Sequence, residues 1–203
     1  MHNPGNTLFP IFCKIDRLRV LVVGGGPVGL EKVQALLKNN PEARITLVAI
    51  DICDELYELG KGHPTIELHK RAFVPEDLEG ADLLILATGS RETSEEIREM
   101  AWERHLLTNV ADTPDLCDFY LGSTVKKGDL KIGISTNGKS PTFAKRFREL
   151  LEESLPEDID ALLQNLHEVR NMMTGDFQEK VEKLNALTAD LTANRSQPKA
   201  YER

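Results

Sequence analysis

The chain has 203 residues, 40% of them hydrophobic and 29% charged, which suits one substantial core with an appendage. Its 33 acidic residues outnumber 25 basic ones, and a formal charge of −8 argues against a general nucleic-acid binder, whose phosphate contacts need clustered Lys and Arg. No apolar run approaches the roughly 20 residues needed to span a bilayer, residues 1–10 lack a signal-peptide pattern, and Cys13, Cys53 and Cys117 are scattered as reduced thiols would be, so a cytoplasmic protein with no membrane partner is expected.

In chain order, the apolar stretch Leu8-Phe9-Pro10-Ile11-Phe12 reads as an edge segment over a sheet, because Pro10 disfavours a central strand. Arg19 to Val23 is a strand-like run that enters Gly24-Gly25-Gly26-Pro27-Val28-Gly29. The spacing of Gly24, Gly26 and Gly29 fits G-x-G-x-x-G: the first glycine makes the turn, the second lets a pyrophosphate approach, and the third brings helix and strand together. Val33, Leu36 and Leu37 give the following helix, from Val28 to about Lys38, an apolar face, and Asn39-Asn40-Pro41 stops it. Arg44 to Ala49 is a second strand, and Asp51 just beyond it stands where a Rossmann fold places the acidic residue that bonds the adenosine ribose, which favours NAD over NADP. A helix N-cap is an equally physical use for Asp51, since Asp51 to Leu59 looks helical.

Thr65 to His69 and Leu83 to Thr88 read as further strands, the latter ending in the small residues Ala87, Thr88 and Gly89, against which a cofactor can lie close. Thr93 can cap a helix with Ile97, Met100 and Ala101, and Leu106 to Val110 is one more strand. The alternation predicts an α/β fold, a Rossmann-type doubly wound parallel sheet over residues 1–113, whose strand ends gather Gly24 to Gly29, Ile50-Asp51, Ala87 to Gly89 and Asn109 to Asp112 at one edge. Asp112 there either takes a proton from a substrate or is a turn aspartate before Thr113-Pro114.

From Phe119 the pattern changes. Phe119 to Val125 and Leu130 to Ser135 flank a four-residue loop, Lys126 to Asp129, and predict a β-hairpin. Ser140 is a good N-cap and Pro141 a good first residue for a helix carrying Phe143, Phe147, Leu150 and Leu151. Residues 114–155 therefore form a hairpin-and-helix segment, expected to pair with a second copy because a hairpin exposes strand edges; covering the sheet of its own subunit is the alternative. Residues 156–192 read as a small helical domain, with helices from about Glu157 to Met173 and from Asp176 to about Leu191, and residues 193–203 as a flexible tail. Ser135, Thr136, Lys139 and Ser140 can bind anions through hydroxyls, an ammonium and a helix start, with Lys126, Lys127, Lys145 and Arg146 as a basic rim; a solvated face is the plainer reading.

Leu8 to Phe12, Val20 to Gly29, Asn109-Val110-Ala111-Asp112 and Ile134-Ser135-Thr136-Asn137-Gly138-Lys139-Ser140-Pro141 together resemble the precorrin-2 dehydrogenase module of siroheme synthases, in order through residues 8 to about 155. The resemblance implies NAD-dependent oxidation of precorrin-2, a tetrapyrrole, to sirohydrochlorin, and in some members iron chelation of that product to siroheme. It matches Asp112 to the family's essential aspartate and Pro27, Val28, Ile50 and Asp51 to positions that contact NAD; Asn109, at the same strand edge, and Ser135, Thr136, Lys139 and Ser140 are the residues expected on the substrate side. Thr136 falls where some members carry a phosphorylatable serine. The methyltransferase domain fused in those members is not seen here, so a separate uroporphyrinogen methyltransferase is the expected pathway neighbour. No dedicated metal cluster is visible, and His105, in a helix-to-strand connection, reads as a surface residue rather than a ligand. The competing functional class is an NAD-binding regulatory or scaffold protein that turns nothing over.

Overall fold

The computed structural model describes residues 5–174 and 177–189, and the chain divides into two compact units, the first ending at Gly122 and the second beginning at Ser123. In the first unit β1 (Arg19–Gly25), β2 (Arg44–Ile52), β3 (Ile66–Lys70), β4 (Leu83–Leu86) and β5 (Leu107–Val110) alternate with α1 (Pro27–Asn39), α2 (Asp54–Gly62) and α3 (Arg91–Glu103). The strands form one parallel sheet in the order β3-β2-β1-β4-β5. Chain order reverses between β1 and β4, and ligands bind beyond the carboxyl ends of strands at such a reversal.

The period-2 alternation of strand side chains divides the core into two layers. Val20 and Val22 of β1, Ile45 and Leu47 of β2 and Ile85 of β4 pack with Val33, Leu36 and Leu37 of α1 and Leu56 of α2. Leu21, Val23, Val48, Leu84 and Leu86 face the other way, against Ile97 and Ala101 of α3. Burying each such side chain stabilises the fold by about 1.5–3 kcal/mol before conformational entropy is counted. Two-faced burial is also why these strands read as continuous apolar runs.

Local details depart from the sequence expectations. The segment from Leu8 to Phe12 joins no strand, and Phe9 and Phe12 are exposed. Strand β2 runs three residues past Ala49, so Asp51 lies inside the strand, and Cys53 rather than Asp51 is the N-cap of α2. Ser90 caps α3 by accepting from the Thr93 amide at 3.3 Å; Thr93 is the third residue of the helix, not its cap. The first unit continues past the last parallel strand: the Asp118 amide donates to Thr108 O at 2.8 Å, and Asn109 Nδ2 to Phe119 O at 2.9 Å.

Between β3 and β4, Arg71 donates to both carboxylate oxygens of Asp77, and the Val74 amide adds a bond of 2.9 Å. The Arg71 hydrogen bonds hold the Asp77 carboxyl below the usual carboxylate range. Its stabilisation is therefore present above the unfolded-state pKa and is lost as pH falls through the depressed folded one. Asp77→Asn should lower the melting temperature at neutral pH, with the gap to the parent closing in acid; thermal melts across pH check this.

In the second unit β6 (Ser123–Lys127) and β7 (Leu130–Ile134) form a separate two-stranded antiparallel sheet. Lys126 and Lys127 pair with Lys131 and Leu130, so the turn has two residues, Gly128 and Asp129, rather than four. Three helices follow: α4 (Pro141–Ser154), α5 (Ile159–Met172) and α6 (Phe177–Leu187). Ser140 caps α4 through the Phe143 amide at 3.1 Å. The expected helix residues 176, 190 and 191 and the tail from 193 lie outside the described residues.

Asp160 of α5 ties the hairpin down by accepting from the Asp129 amide at 2.8 Å. Gly128 has φ 58 there, and a Cβ on it would come within 2.1 Å of Asp160 Oδ1. Gly128→Ala is expected to destabilise the second unit by at least about 1–2 kcal/mol, the usual cost of left-handed backbone for an L-residue, read as a lowered denaturant midpoint.

Candidate cofactor and active site

A cleft of about 770 Å³ opens along the carboxyl edge of the five-stranded sheet. Its walls come from Val23 to Val28, Val48 to Asp51, Leu86 to Thr88 and Ala111 to Thr113, with Ser90, Arg91 and Ser94 of the α3 start at one side. The structure thus brings to one place the glycine loop, Ile50 and Asp51, Ala87 and Thr88, and Asp112.

The glycine loop is built for close approach. Gly24 has φ 120, and a Cβ there would lie 2.1 Å from Ala87 O, so the turn presses directly on the end of β4. A Cβ on Gly29 would lie 2.1 Å from Gly24 O, which is why α1 can dock against β1. Gly26 differs, because a Cβ there would meet nothing within 4 Å. Gly26 is also the N-cap of α1 and offers no side chain to the helix start, and Pro27 at the first helical position carries no N–H. The first bond of the turn is Leu30 N to Gly26 O at 3.0 Å, leaving the amides of Val28 and Gly29 ahead of it. An open cradle below an uncapped helix start fits a pyrophosphate, since the amides and the helix dipole both favour an anion.

Ile50 is 70% exposed at the end of β2, and Asp51 beside it is exposed, with Lys70 Nζ 3.6 Å from its carboxylate. The Thr88 hydroxyl is engaged with Ser94 Oγ at 2.8 Å and Ser90 O at 2.9 Å, which ties the β4 end to the α3 start. Asp112 has left-handed backbone, φ 56, and among the described residues its carboxylate has no hydrogen-bond or ion-pair partner. A turn aspartate would bond its own neighbouring amides; here the turn is closed instead by Thr113 N to Val110 O at 3.4 Å, by Thr113 Oγ1 to Ala111 O at 3.2 Å and by the Cys117 thiol, which donates to Val110 O at 3.2 Å. Burial pushes the Cys117 thiol up, so it remains protonated and structural.

Other residues singled out in the sequence stand elsewhere. Asn109 is 6% exposed and spends its amide on Phe119 O and Cys117 Sγ, so it secures the chain after β5 rather than lining the cleft. In the second unit, Thr136 Oγ1 donates to Ser140 O at 3.3 Å and accepts from Ser140 N at 3.2 Å, closing the loop that ends in the Ser140 cap. The Asn137 amide donates to Ser135 Oγ at 3.2 Å, and Lys139 is exposed. Of the expected basic rim, Lys127 is drawn to Leu155 O at 2.7 Å and Glu157 at 3.0 Å, and Arg146 to Glu149 at 2.9 Å, because helix-end carbonyls and carboxylates lie within their reach. Lys126, Lys139 and Lys145 have no ion pair among the described residues. His105, with φ 56, is exposed. No cluster of three or more His, Cys, Asp or Glu able to hold a metal occurs among the described residues, and none of their helices is long and apolar enough to cross a membrane.

Strand order, glycine cradle and cleft together define a Rossmann-type dinucleotide-binding domain. Residues 11–123 match the model of a family described as "Putative NAD(P)-binding", and residues 127–154 match one described as "Sirohaem biosynthesis protein central". The chain belongs to this NAD(P)-binding family, in the form that siroheme synthases carry. The siroheme synthase of Pseudoalteromonas translucida (strain TAC 125) is 37% identical over 172 residues, 85% of this chain and 34% of that protein. The siroheme synthase of Thioalkalivibrio sulfidiphilus (strain HL-EbGR7) is 36% identical over 148 residues, 73% of this chain and 30% of that protein. The chain thus spans about a third of the length of these curated relatives. The solved structure of SirC, a precorrin-2 dehydrogenase, shares the fold with a TM-score of 0.69 at 23% identity, covering 92% of this chain and 94% of that one.

Proposed function

We propose that the protein is an NAD-dependent precorrin-2 dehydrogenase, oxidising precorrin-2 to sirohydrochlorin. One observation carries the reading: a single cleft joins the open cradle at Gly26 to the unpartnered carboxylate of Asp112, in a chain whose relatives are named siroheme synthases.

When bound, NAD supplies the acceptor for the hydride that leaves the macrocycle. Gly24 to Gly29 would seat the pyrophosphate on the amides of the α1 start, with Ala87 and Thr88 as a close wall. Asp51, near the end of β2, would accept from the ribose hydroxyls, and a 2′-phosphate at that place would meet its negative charge; this favours NAD over NADP. Asp112 takes the proton released with the hydride. Its exposed and unpaired carboxylate can reach a substrate C–H or N–H, directly or through one water, without first breaking a bond to the protein.

The substrate bears several carboxylates, and Lys126, Lys139 and Lys145 of the second unit are exposed cations of the complementary sign. The same unit exposes Phe143, Phe147 and Leu150 on α4 and the unpaired edges of a two-stranded sheet, which supports a homodimer joined there.

The test is incubation with precorrin-2 and NAD, following NADH absorbance and the macrocycle spectrum with and without ferrous ions. NADH formation in both arms supports the dehydrogenase, and a siroheme spectrum confined to the ferrous arm and dependent on the protein adds chelation. NAD binding without NADH identifies a sensor and overturns the proposal.

A further inference from the structure

Two arginines of α3 have no part in this reading. Arg91 and Arg98 are seven residues apart, two helical turns, and so lie on one face of the helix. Both reach the segment that follows Asp112. Arg91 donates to both carboxylate oxygens of Asp115, Nη1 at 3.3 Å, and its Nε donates to Glu95 at 2.7 Å. Arg98 Nε donates to Leu116 O at 3.3 Å and its Nη2 to Asp118 at 2.9 Å, with the guanidinium 4.8 Å from the centre of the Trp102 ring. The Arg98–Asp118 pair is partly buried, with side-chain exposures of 24% and 17%, whereas the Arg91–Asp115 pair is exposed. Asp118 also accepts from the Thr108 amide at 3.0 Å, which returns the segment to β5.

Aspartate adopts left-handed backbone more readily than most residues, and at Asp112, φ 56, the bonds on either side of the turn select it. The bond from Ala111 N to Leu86 O, 2.9 Å long, fixes the turn on its strand side. On the far side, the hydrogen bonds that reach Pro114–Leu116 from outside residues 113–120 come, among the described residues, from Arg91 and Arg98. Arg91 lines the cleft, but its guanidinium is already shared between two carboxylates, which suits a clamp better than an anchor for a ligand anion.

We propose that Arg91, with Arg98 two turns along, is a positioning residue: it clamps the Asp115 turn and so holds the Asp112 carboxylate where it meets the proton that leaves the substrate. The proposal rests on Asp112 being the proton acceptor. A base must be held to within about 0.5 Å of its productive place, so a loosened turn costs rate rather than binding.

The test uses the full chain and the precorrin-2 and NAD assay. Arg91→Gln should lower kcat about ten-fold, with the KM for precorrin-2 and the Kd for NAD nearly unchanged. Reversing the pair, Arg91→Asp with Asp115→Arg, should recover most of the loss, and in an Asp112→Asn background Arg91→Gln should add no further loss. Parental kcat in Arg91→Gln, a KM or NAD Kd that moves in step with kcat, a reversed pair no better than the single variant, or a loss that multiplies with Asp112→Asn would each overturn the clamp. Parental kcat in Asp112→Asn alone would remove the underlying assignment, and that outcome is read independently of Arg91.

Discussion

Replacing Asp112 with Asn is expected to lower kcat by about 10² to 10⁴, the span that a positioned general base contributes, while NAD affinity stays nearly unchanged. The substitution keeps size and shape and removes only the basic oxygen. Asparagine also tolerates left-handed backbone, so the φ of 56 at this position is preserved and folding should not suffer. The carboxylate bonds no described residue, so its loss orphans no partner there. A kcat effect without a Kd effect therefore reports chemistry, read by steady-state rates beside a fluorescence titration with NAD. Parental kcat would remove Asp112 from the mechanism.

The second large effect separates two neighbouring glycines. Gly24→Ala must push a Cβ into Ala87 O and adopt a φ of 120, so the turn between β1 and α1 has to move as a whole. A loss of about 3–5 kcal/mol in stability is expected, enough to threaten a fold of ordinary marginal stability. Gly26→Ala has room for its Cβ and an extended backbone, φ −87, that any residue adopts, so the fold should hold. That open space is where the pyrophosphate lies in the proposed complex. NAD affinity should accordingly fall by at least about ten-fold, roughly 1.4 kcal/mol, at an unchanged melting temperature. Calorimetric titration with a thermal melt of each variant distinguishes the two roles, and parental NAD affinity in Gly26→Ala would place the pyrophosphate elsewhere.

Much of the sheet was legible because its strands are buried on both faces. Val20 to Val23, Leu47 to Ile50 and Leu84 to Leu86 are continuous apolar runs, and their order with the helices between them defines a doubly wound sheet. Legibility failed where a polar residue interrupts a strand. Strand β2 continues through Ile50 and Asp51, both exposed at the cleft, to the buried Ile52, so the acidic Asp51 marks no end of the hydrogen bonding. The hairpin loop is shorter than its composition suggests because Lys126 and Lys127 are polar yet pair across the ladder, Lys127 with its ammonium held by Leu155 O and Glu157. Ser90 and Thr93 both carry hydroxyls three residues apart, and only geometry shows which accepts the amide of the other.

The site was legible as a set of strand ends but not as a set of contacts. The glycine spacing and the Asn109 to Asp112 motif pointed to the edge where the cleft opens, yet Asn109, on the same face of β5 as the exposed Leu107, is buried beside the returning chain, where Phe119 O takes its amide. Arg91 and Arg98 gave no signal, because an arginine on a charged helix looks the same whether it faces water or a partner 24 or 20 residues further along. A pattern of residue types cannot separate these cases when the partner is distant in sequence.

The most direct test is a single turnover with enzyme in excess over precorrin-2 and ample NAD, counting NADH formed against precorrin-2 consumed. Equal amounts, rising with one rate constant that Asp112→Asn slows by about 10² to 10⁴, are the predicted result. Consumption of precorrin-2 without NADH, or NADH formed at the parental rate by Asp112→Asn, would contradict it.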